Sequence, residues 1–303
     1  MLEYSDIKIA IQKIASMEQL KELINYGQAL GSNYVTNFEL DEEKHKAWIE
    51  TGEFQYEKFD DTLFLLFDHY SPDIEKYFTN LYYFSTSMEA MKVHLKNYPE
   101  LFIYDLYVLD FIGNENECAP LMESIGKINS HVDAKLVRMC REGIVEDKTA
   151  IDERVEFAAD GEEKMVDVML RENLNERAEK LPVVSEIKRM IAEKHVLKYV
   201  VDGQIAGLLL FDINGEELHI QQRLILPKYG NQGVGKALIN RALYEGKETK
   251  RQRLWVQEDN ENDMKRYERL GFAKEDMYDY VVSYCGEPHP IEKFLHEPKL
   301  SAQ

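Results

Sequence analysis

The run Gly230-Asn231-Gln232-Gly233-Val234-Gly235-Lys236 places three glycines and a lysine within seven residues. Glycines let the main chain approach a ligand without side-chain obstruction. A helix starting among them offers unbonded amides and the positive end of its dipole. That combination suits an anion, above all a phosphate. On its residues alone the run has three readings. It fits a nucleoside-triphosphate loop at all but the last position, where Ala237 replaces the hydroxyl that would hold magnesium. It fits a dinucleotide fingerprint less well, because the third glycine would fall at Leu238. It is also compatible with a tight turn and nothing more.

The flanking elements decide how the loop is presented. Before Pro227, Leu218, Ile220, Leu224 and Leu226 alternate with Glu217, His219, Gln221 and Arg223, which predicts a half-buried strand with the two sets on opposite faces. After the loop, Val234, Ala237, Leu238 and Ala242 share one helical face, so a helix begins at or near Gly235. Upstream, Asp202-Gly203 and Asn214-Gly215 lie between alternating apolar runs and predict a three-stranded meander over 195–201, 205–211 and 217–226. Hairpins leading into the loop disagree with the strand-helix-strand crossovers of a nucleotide-triphosphate or dinucleotide domain. Downstream, 254–256 reads as a short strand, Asn260 as a helix N-cap and Gly271 as a helix terminator.

Two spaced segments together resemble the GNAT superfamily of N-acetyltransferases. In that family a strand ending in a Val-x-Pro-like sequence runs into Gln/Arg-x-x-Gly-x-Gly/Ala, whose amides hold the pyrophosphate of acetyl-CoA. Ile225-Leu226-Pro227 and Gly233-Val234-Gly235 match, while Gly230 stands where the family prefers Gln or Arg. The second segment, LWVQEDNENDMKRYERLGF, has Asn260, Tyr267, Gly271 and Phe272 in matching places, with Asp263 where alanine is usual. The resemblance covers roughly the last half of the chain. It implies acetyl-CoA as co-substrate, held by residues 230–236 (Gly230, Asn231, Gln232, Gly233, Val234, Gly235, Lys236), by Asn260, and by main-chain groups of Leu224, Ile225 and Leu226. It implies Tyr267 as the general acid for the departing thiolate. The position of the family's strand glutamate maps to His219, with Glu217 two residues earlier, and these are the candidates for the base. No metal is implied. The helical pair before the meander, 162–177 and 184–194, would shape the acceptor site.

The 303 residues are 44% hydrophobic and 31% charged, enough for two soluble domains. The net charge of −19 disfavours nucleic acid and favours a cationic amine, a small molecule or a peptide, as acceptor. Cys118, Cys140 and Cys285 are widely spaced, which predicts neither disulfides nor a metal cluster. With no apolar run of spanning length and no signal-like N-terminus, a cytoplasmic location without membrane contact is expected. A homodimer is allowed. Besides the N-acetyltransferase, a non-catalytic acyl-CoA sensor or interaction module and a P-loop nucleotide-binding protein are the alternatives.

In the first half, helices are predicted between Ser5 and Leu30 and at 41–51, 88–96 and 115–124, and strands at 62–67, 80–84 and 101–109, with a turn at Ser71-Pro72-Asp73. Setting Phe64-Leu65-Leu66-Phe67-Asp68 on Leu208-Leu209-Leu210-Phe211-Asp212, an offset of 144 residues, brings further elements into coincidence. This predicts an α/β chain of α+β type: tandem GNAT-like domains, each a mixed, mostly antiparallel sheet flanked by helices. The expected division is a degenerate N-terminal domain over 1–127, a connector over 128–150 whose residues 128–143 form a helix, and the acetyltransferase domain over 151–303. The first copy carries Glu89, Ala90 and Met91 near the place of the Gly-x-Gly turn, so catalysis is expected in the second copy alone. The tail from Glu287, with three prolines, is expected to be a surface extension.

Overall fold

A computed structural model describes residues 11–71, 76–97, 106–125, 130–143 and 151–284. The expectations for residues 5–10, for Pro72 and Asp73, for 101–105 and for the tail from Glu287 lie outside the described residues. The chain divides into two compact units, Met1–Lys135 with Met277–His296, and Leu136–Asp276 with Glu297–Gln303.

In chain order the first half supplies β1 (Gln12–Lys13), α1 (Met17–Gln28), β2 (Val35–Thr36), α2 (Glu42–Thr51), β3 (Phe54–Lys58), β4 (Thr62–Ser71), β5 (Lys76–Ser85), α3 (Met88–Asn97), β6 (Tyr107–Gly113), α4 (Glu115–Ile125) and β7 (Ser130–Glu142). The second supplies β8 (Val155–Phe157), α5 (Glu163–Asn173), α6 (Glu176–Glu179), α7 (Val184–Ala192), β9 (Val196–Val201), β10 (Gln204–Asn214), β11 (Glu217–Ile225), α8 (Val234–Glu245), β12 (Arg251–Gln257), α9 (Glu261–Glu268) and β13 (Ala273–Tyr284). The order β3-β4-β5-α3-β6-α4-β7 recurs as β9-β10-β11-α8-β12-α9-β13. Both units are α/β, with mostly antiparallel sheets flanked by helices.

Local chemistry explains several boundaries. Ser16 caps α1 by accepting from the Gln19 amide, and Asp41 caps α2 by accepting from Lys44. Asn175 starts a new helical turn, which splits the single helix expected over 162–177 into α5 and α6. The helix expected at 128–143 is β7 instead. Its hydrogen-bond partner is β12, with Glu142 opposite Arg251 and Leu136 opposite Gln257, more than a hundred residues away in sequence. An apolar-polar mixture with no caps takes its conformation from such a partner. The last strand of the chain behaves reciprocally, since β13 pairs β6 from Tyr278–Gly113 to Tyr284–Tyr107. Each unit thus completes its sheet with a strand from the other half of the sequence.

The first unit's core is aromatic. Trp48 stacks on Phe67 with centroids 3.9 Å apart, and buried His45 lies beside Phe38, Trp48 and Phe54. His45 accepts from the Asp41 amide through Nδ1, and burial pulls its pKa down to about 3. His219, in the second unit, is likewise lowered to about 3. Unfolding returns both imidazoles to their ordinary value near 6.5, so the unfolded chain binds more protons between pH 6.5 and 3. Stability is therefore expected to fall as pH drops from 6.5 towards 3. Urea titrations across that range check this, and His45→Phe should flatten the slope; a slope unchanged in the variant would remove His45 from the effect.

Candidate active site

The site begins with a fault in a strand. β11 pairs antiparallel with β10, but Leu210 faces Gln222 while Phe211 faces Ile220, leaving Gln221 unpaired as a bulge. A bulge bends its strand and moves every side chain beyond it to the other face. The alternating burial expected for β11 holds along the strand, but at the bulge the buried set passes from one face to the other. Leu218 packs where α8 ends, close enough that a Cβ on Gly246 would lie 3.1 Å from it, whereas Leu224 joins the cluster of Val166, Leu170, Ile187 and Met190 beneath α5 and α7. Arg223 and Ile225 thereby turn towards Gly235 of α8. Glu217 and His219 occupy the opposite face.

The same place opens the sheet. β11 and β12 run parallel in register from Glu217–Arg251 to Ile220–Leu254, and there the pairing stops. Yet β11 continues to Ile225 and β12 to Gln257, so the two strands part in a fork.

The glycine loop follows directly. A short 3-10 turn at Pro227–Tyr229 leads into Asn231 at φ +62° and Gly233 at φ +82°. Gly233 is the N-cap of α8 and has no side chain to bond the first amides of the helix. Gly235 meets a different need, because a Cβ there would lie 2.6 Å from Ile225 Cδ1. Gly230, at φ −54°, has a backbone open to any residue. Beside the loop an open cleft of about 360 Å3 is lined by Arg154, Gln232, Gly233, Lys236 and Asn240, among others. A bare helix N-terminus and a fork, with Lys236 and an Arg154 that is paired to Asp152 at the cleft, fit a CoA pyrophosphate with its neighbouring phosphate. The Leu226 amide, expected among the CoA contacts, is taken by the Ala206 carbonyl at 3.0 Å. Asn260 uses its side chain on the cap of α9, accepting from the Asp263 amide and donating to the Asp263 carboxylate, both at 3.1 Å.

Tyr267 is buried on α9 and packs edge-on against Phe272. The Arg223 guanidinium lies 5.2 Å from its ring centroid and bonds Asp263 at 2.5 Å. Burial raises the Tyr267 pKa, Arg223 opposes that, and Asp263 and Glu179 add to it. The phenol is therefore protonated at neutral pH. Asp263 stays ionised: burial pushes it up, but Arg223 and Arg266 outweigh that. Alanine is usual at this position in GNAT proteins, and Asp263 here neutralises Arg223.

The two base candidates are placed differently. Glu217 is ion-paired to Arg253 at 2.6 Å and Arg251 at 3.4 Å. His219 is driven to about 3 by burial, then by Arg253, Lys180 and Arg138, so it is a weak proton acceptor towards an ammonium group. Both sit on the face of β11 away from Arg223 and Tyr267. Sequence reasoning missed Arg223, whose partner is 40 residues downstream, and Glu179, one acid among several in a charged helical segment.

The equivalent fork of the first unit is filled by its own chain. β5 and β6 pair in parallel from Thr79–Tyr107 to Leu81–Leu109. Beyond that, Asn37 donates to the carbonyls of Leu81 and Asp110 at 3.1 and 3.2 Å and accepts from the Tyr83 amide at 2.9 Å. β2 pairs with the end of β5, and Ser87 caps α3 by accepting from Ala90 at 3.1 Å. α3 therefore has a side-chain cap on its third amide, which α8 lacks.

With that geometry in place, similarity to known proteins becomes interpretable. The sequence model of the acetyltransferase (GNAT) family matches residues 164–272. No curated protein matches the chain. Among solved structures, the fold is similar to a GNAT-family acetyltransferase from Colwellia psychrerythraea, at 12% identity and a TM-score of 0.51, covering 91% of this chain and 99% of that one. It is similar to a Drosophila protein at 11% identity and a TM-score of 0.53, with the same coverages. A GCN5-related N-acetyltransferase from Sphaerobacter thermophilus gives 12% identity and a TM-score of 0.50 over 91% of this chain and 95% of its own. Residues 164–272, which carry the helical pair, the fork, the uncapped glycine loop and Tyr267, are thus the part of the chain that matches the GNAT acetyltransferase family.

Proposed function

We propose that the second unit transfers an acetyl group from acetyl-CoA directly to a primary amine of a small molecule or peptide. The observation that carries this reading is the parting of β11 and β12 just ahead of a helix whose N-cap has no side chain. Bound acetyl-CoA would supply the activated thioester. The chain's own residues then have separate tasks. The amides of Val234, Gly235 and Lys236 hold the pyrophosphate, and Lys236 and Arg154 at the cleft balance phosphate charge. Tyr267 delivers a proton to the leaving sulfur, and Arg223 with Asp263 fixes its ring. The acceptor enters from the side of α5 to α7, and the acidity of the chain favours a cationic one.

Calorimetry with acetyl-CoA tests this reading. One molecule should bind per chain, because Asn37 fills the first unit's fork and Ser87 caps its helix. No binding at millimolar ligand would sink the proposal, and two sites per chain would overturn the assignment to the second unit alone. Thiol release across polyamines, aminoglycosides, amino acids and peptides then separates an enzyme from an acyl-CoA-binding module. Binding without turnover on any amine would favour the module.

A further inference from the structure

Among the described residues no hydrogen bond or ion pair engages the Glu179 carboxylate, and none ties the Tyr267 hydroxyl. Their neighbours are engaged. Arg223 bonds Asp263, Asp263 also bonds Arg266 and Asn260, and Glu176 at the other end of α6 is paired to Arg171. Glu179 is placed by its main chain. Its carbonyl accepts from Gln222 Nε2 at 3.0 Å, and Gln222 is the first residue of β11 beyond the bulge, where the strands have already parted. Gln222 is only 5% exposed, and its Oε1 has no partner. α6 then stops at once, with Lys180 in the left-handed region at φ +48°. The end of α6 is thereby pinned to the open part of the fork. From there the Glu179 carboxyl is close enough to interact electrostatically with both Arg223 and Tyr267.

We propose that Glu179 is the general base of the acetyl transfer, in place of His219 or Glu217, and that it works across the fork from Tyr267 as acid. This rests on the acetyltransferase reading above. The protons balance as follows. The acceptor ammonium gives one proton to the Glu179 carboxylate, and the freed nitrogen lone pair attacks the thioester carbonyl carbon. The tetrahedral centre collapses, the carbon–sulfur bond breaks with its electron pair going to sulfur, and Tyr267 protonates the thiolate. The nitrogen's second proton restores Tyr267, and Glu179 releases its proton to solvent. Burial favours the neutral carboxyl and raises the pKa of Glu179, Arg223 opposes this, and the raised value makes Glu179 a stronger base than an ordinary surface carboxylate. Arg223 of β11 and Tyr267 of α9 are the charged or titratable groups that interact with it.

Glu179→Gln keeps the shape and the main-chain bond to Gln222, so acetyl-CoA should bind with unchanged affinity. Water can stand in for the unidentified acceptor. Slow acetyl-CoA hydrolysis without amine, and transfer to any panel amine that turns over, should both fall on the order of 100-fold. Wild-type rates should rise with pH through a limb above the ordinary carboxylate range, and the variant should lack that limb. Glu179→Asp should retain the limb at a reduced rate. Wild-type rates in Glu179→Gln, or a change in amine KM alone, would overturn the assignment while leaving the acetyl-CoA reading intact. A loss of acetyl-CoA binding in both proteins would instead remove the underlying reading, and the assignment with it. An activity-independent readout is the carbon NMR titration of carboxyl-labelled glutamate. The signal missing from Glu179→Gln should titrate above the ordinary range, and a signal at or below that range overturns the proposal.

Discussion

Gly233→Val is expected to weaken acetyl-CoA binding by roughly 100-fold or more while leaving the folded state populated. The effect is one of backbone and not of space, because a Cβ at Gly233 would meet nothing within 4 Å. What the substitution disturbs is φ +82°, a region where a β-branched residue is strained by about 1–2 kcal/mol. The loop relieves that strain by rotating the 233–234 peptide, which turns the first amides of α8 away from the anion. Each charge-assisted hydrogen bond contributes about 1.5–3 kcal/mol, so losing two is worth roughly a hundredfold or more. Gly230→Ala supplies the contrast. Its φ of −54° suits any residue, and its binding should match wild type in the same calorimetric experiment. Equal affinities for Gly233→Val and wild type would mean that the anion is held elsewhere.

Tyr267→Phe should bind acetyl-CoA normally and lower kcat about 100-fold, the usual scale for loss of a general acid. Burial is the main reason the phenol keeps its proton, and Arg223 over the ring restrains the rise without ionising it. Phenylalanine preserves the edge-on contact with Phe272, whose centroid lies 5.9 Å away, so packing is retained and the proton alone is lost. A stopped-flow measurement of thiol release separates the chemical step from product release. Normal turnover would assign Tyr267 to packing only. The variant also bears on Glu179, because removing the acid should leave the acidic limb of the pH profile in place.

The parts legible in the sequence were those determined by near neighbours. Asp202-Gly203 specifies a hairpin through its own φ preferences, and the turn falls there; the second hairpin is present too, but its turn falls one residue later than expected, on Gly215-Glu216, with Asn214 paired to Glu217. Asn260 announces a helix because a cap is a bond across three residues, and the helix expected at 41–51 starts at the Asp41 cap. The 144-residue offset sets β4 on β10, and these strands hold the same place in the element order of their units.

Alternation through 217–226 identified the buried positions of β11 but not their faces, because a one-residue bulge is invisible to a period-2 pattern. That single unpaired Gln221 moves Arg223 to the side of Tyr267 and leaves Glu217 and His219 on the other. The 128–143 segment read as a helix because its pairing partner, β12, lies more than a hundred residues on.

The sequence by itself therefore determined most of the turns and capped helix starts and the helix that begins among the glycines, since these depend on backbone preferences within a few residues. Tertiary structure alone decided which side chains face the fork. It put Arg223 against Asp263, tied the main chain of Glu179 to Gln222 beyond the bulge, and filled the first unit's fork with Asn37. Those outcomes depend on strand register, on a bulge and on contacts between residues distant in sequence, and burial then changes what each ionisable group can do.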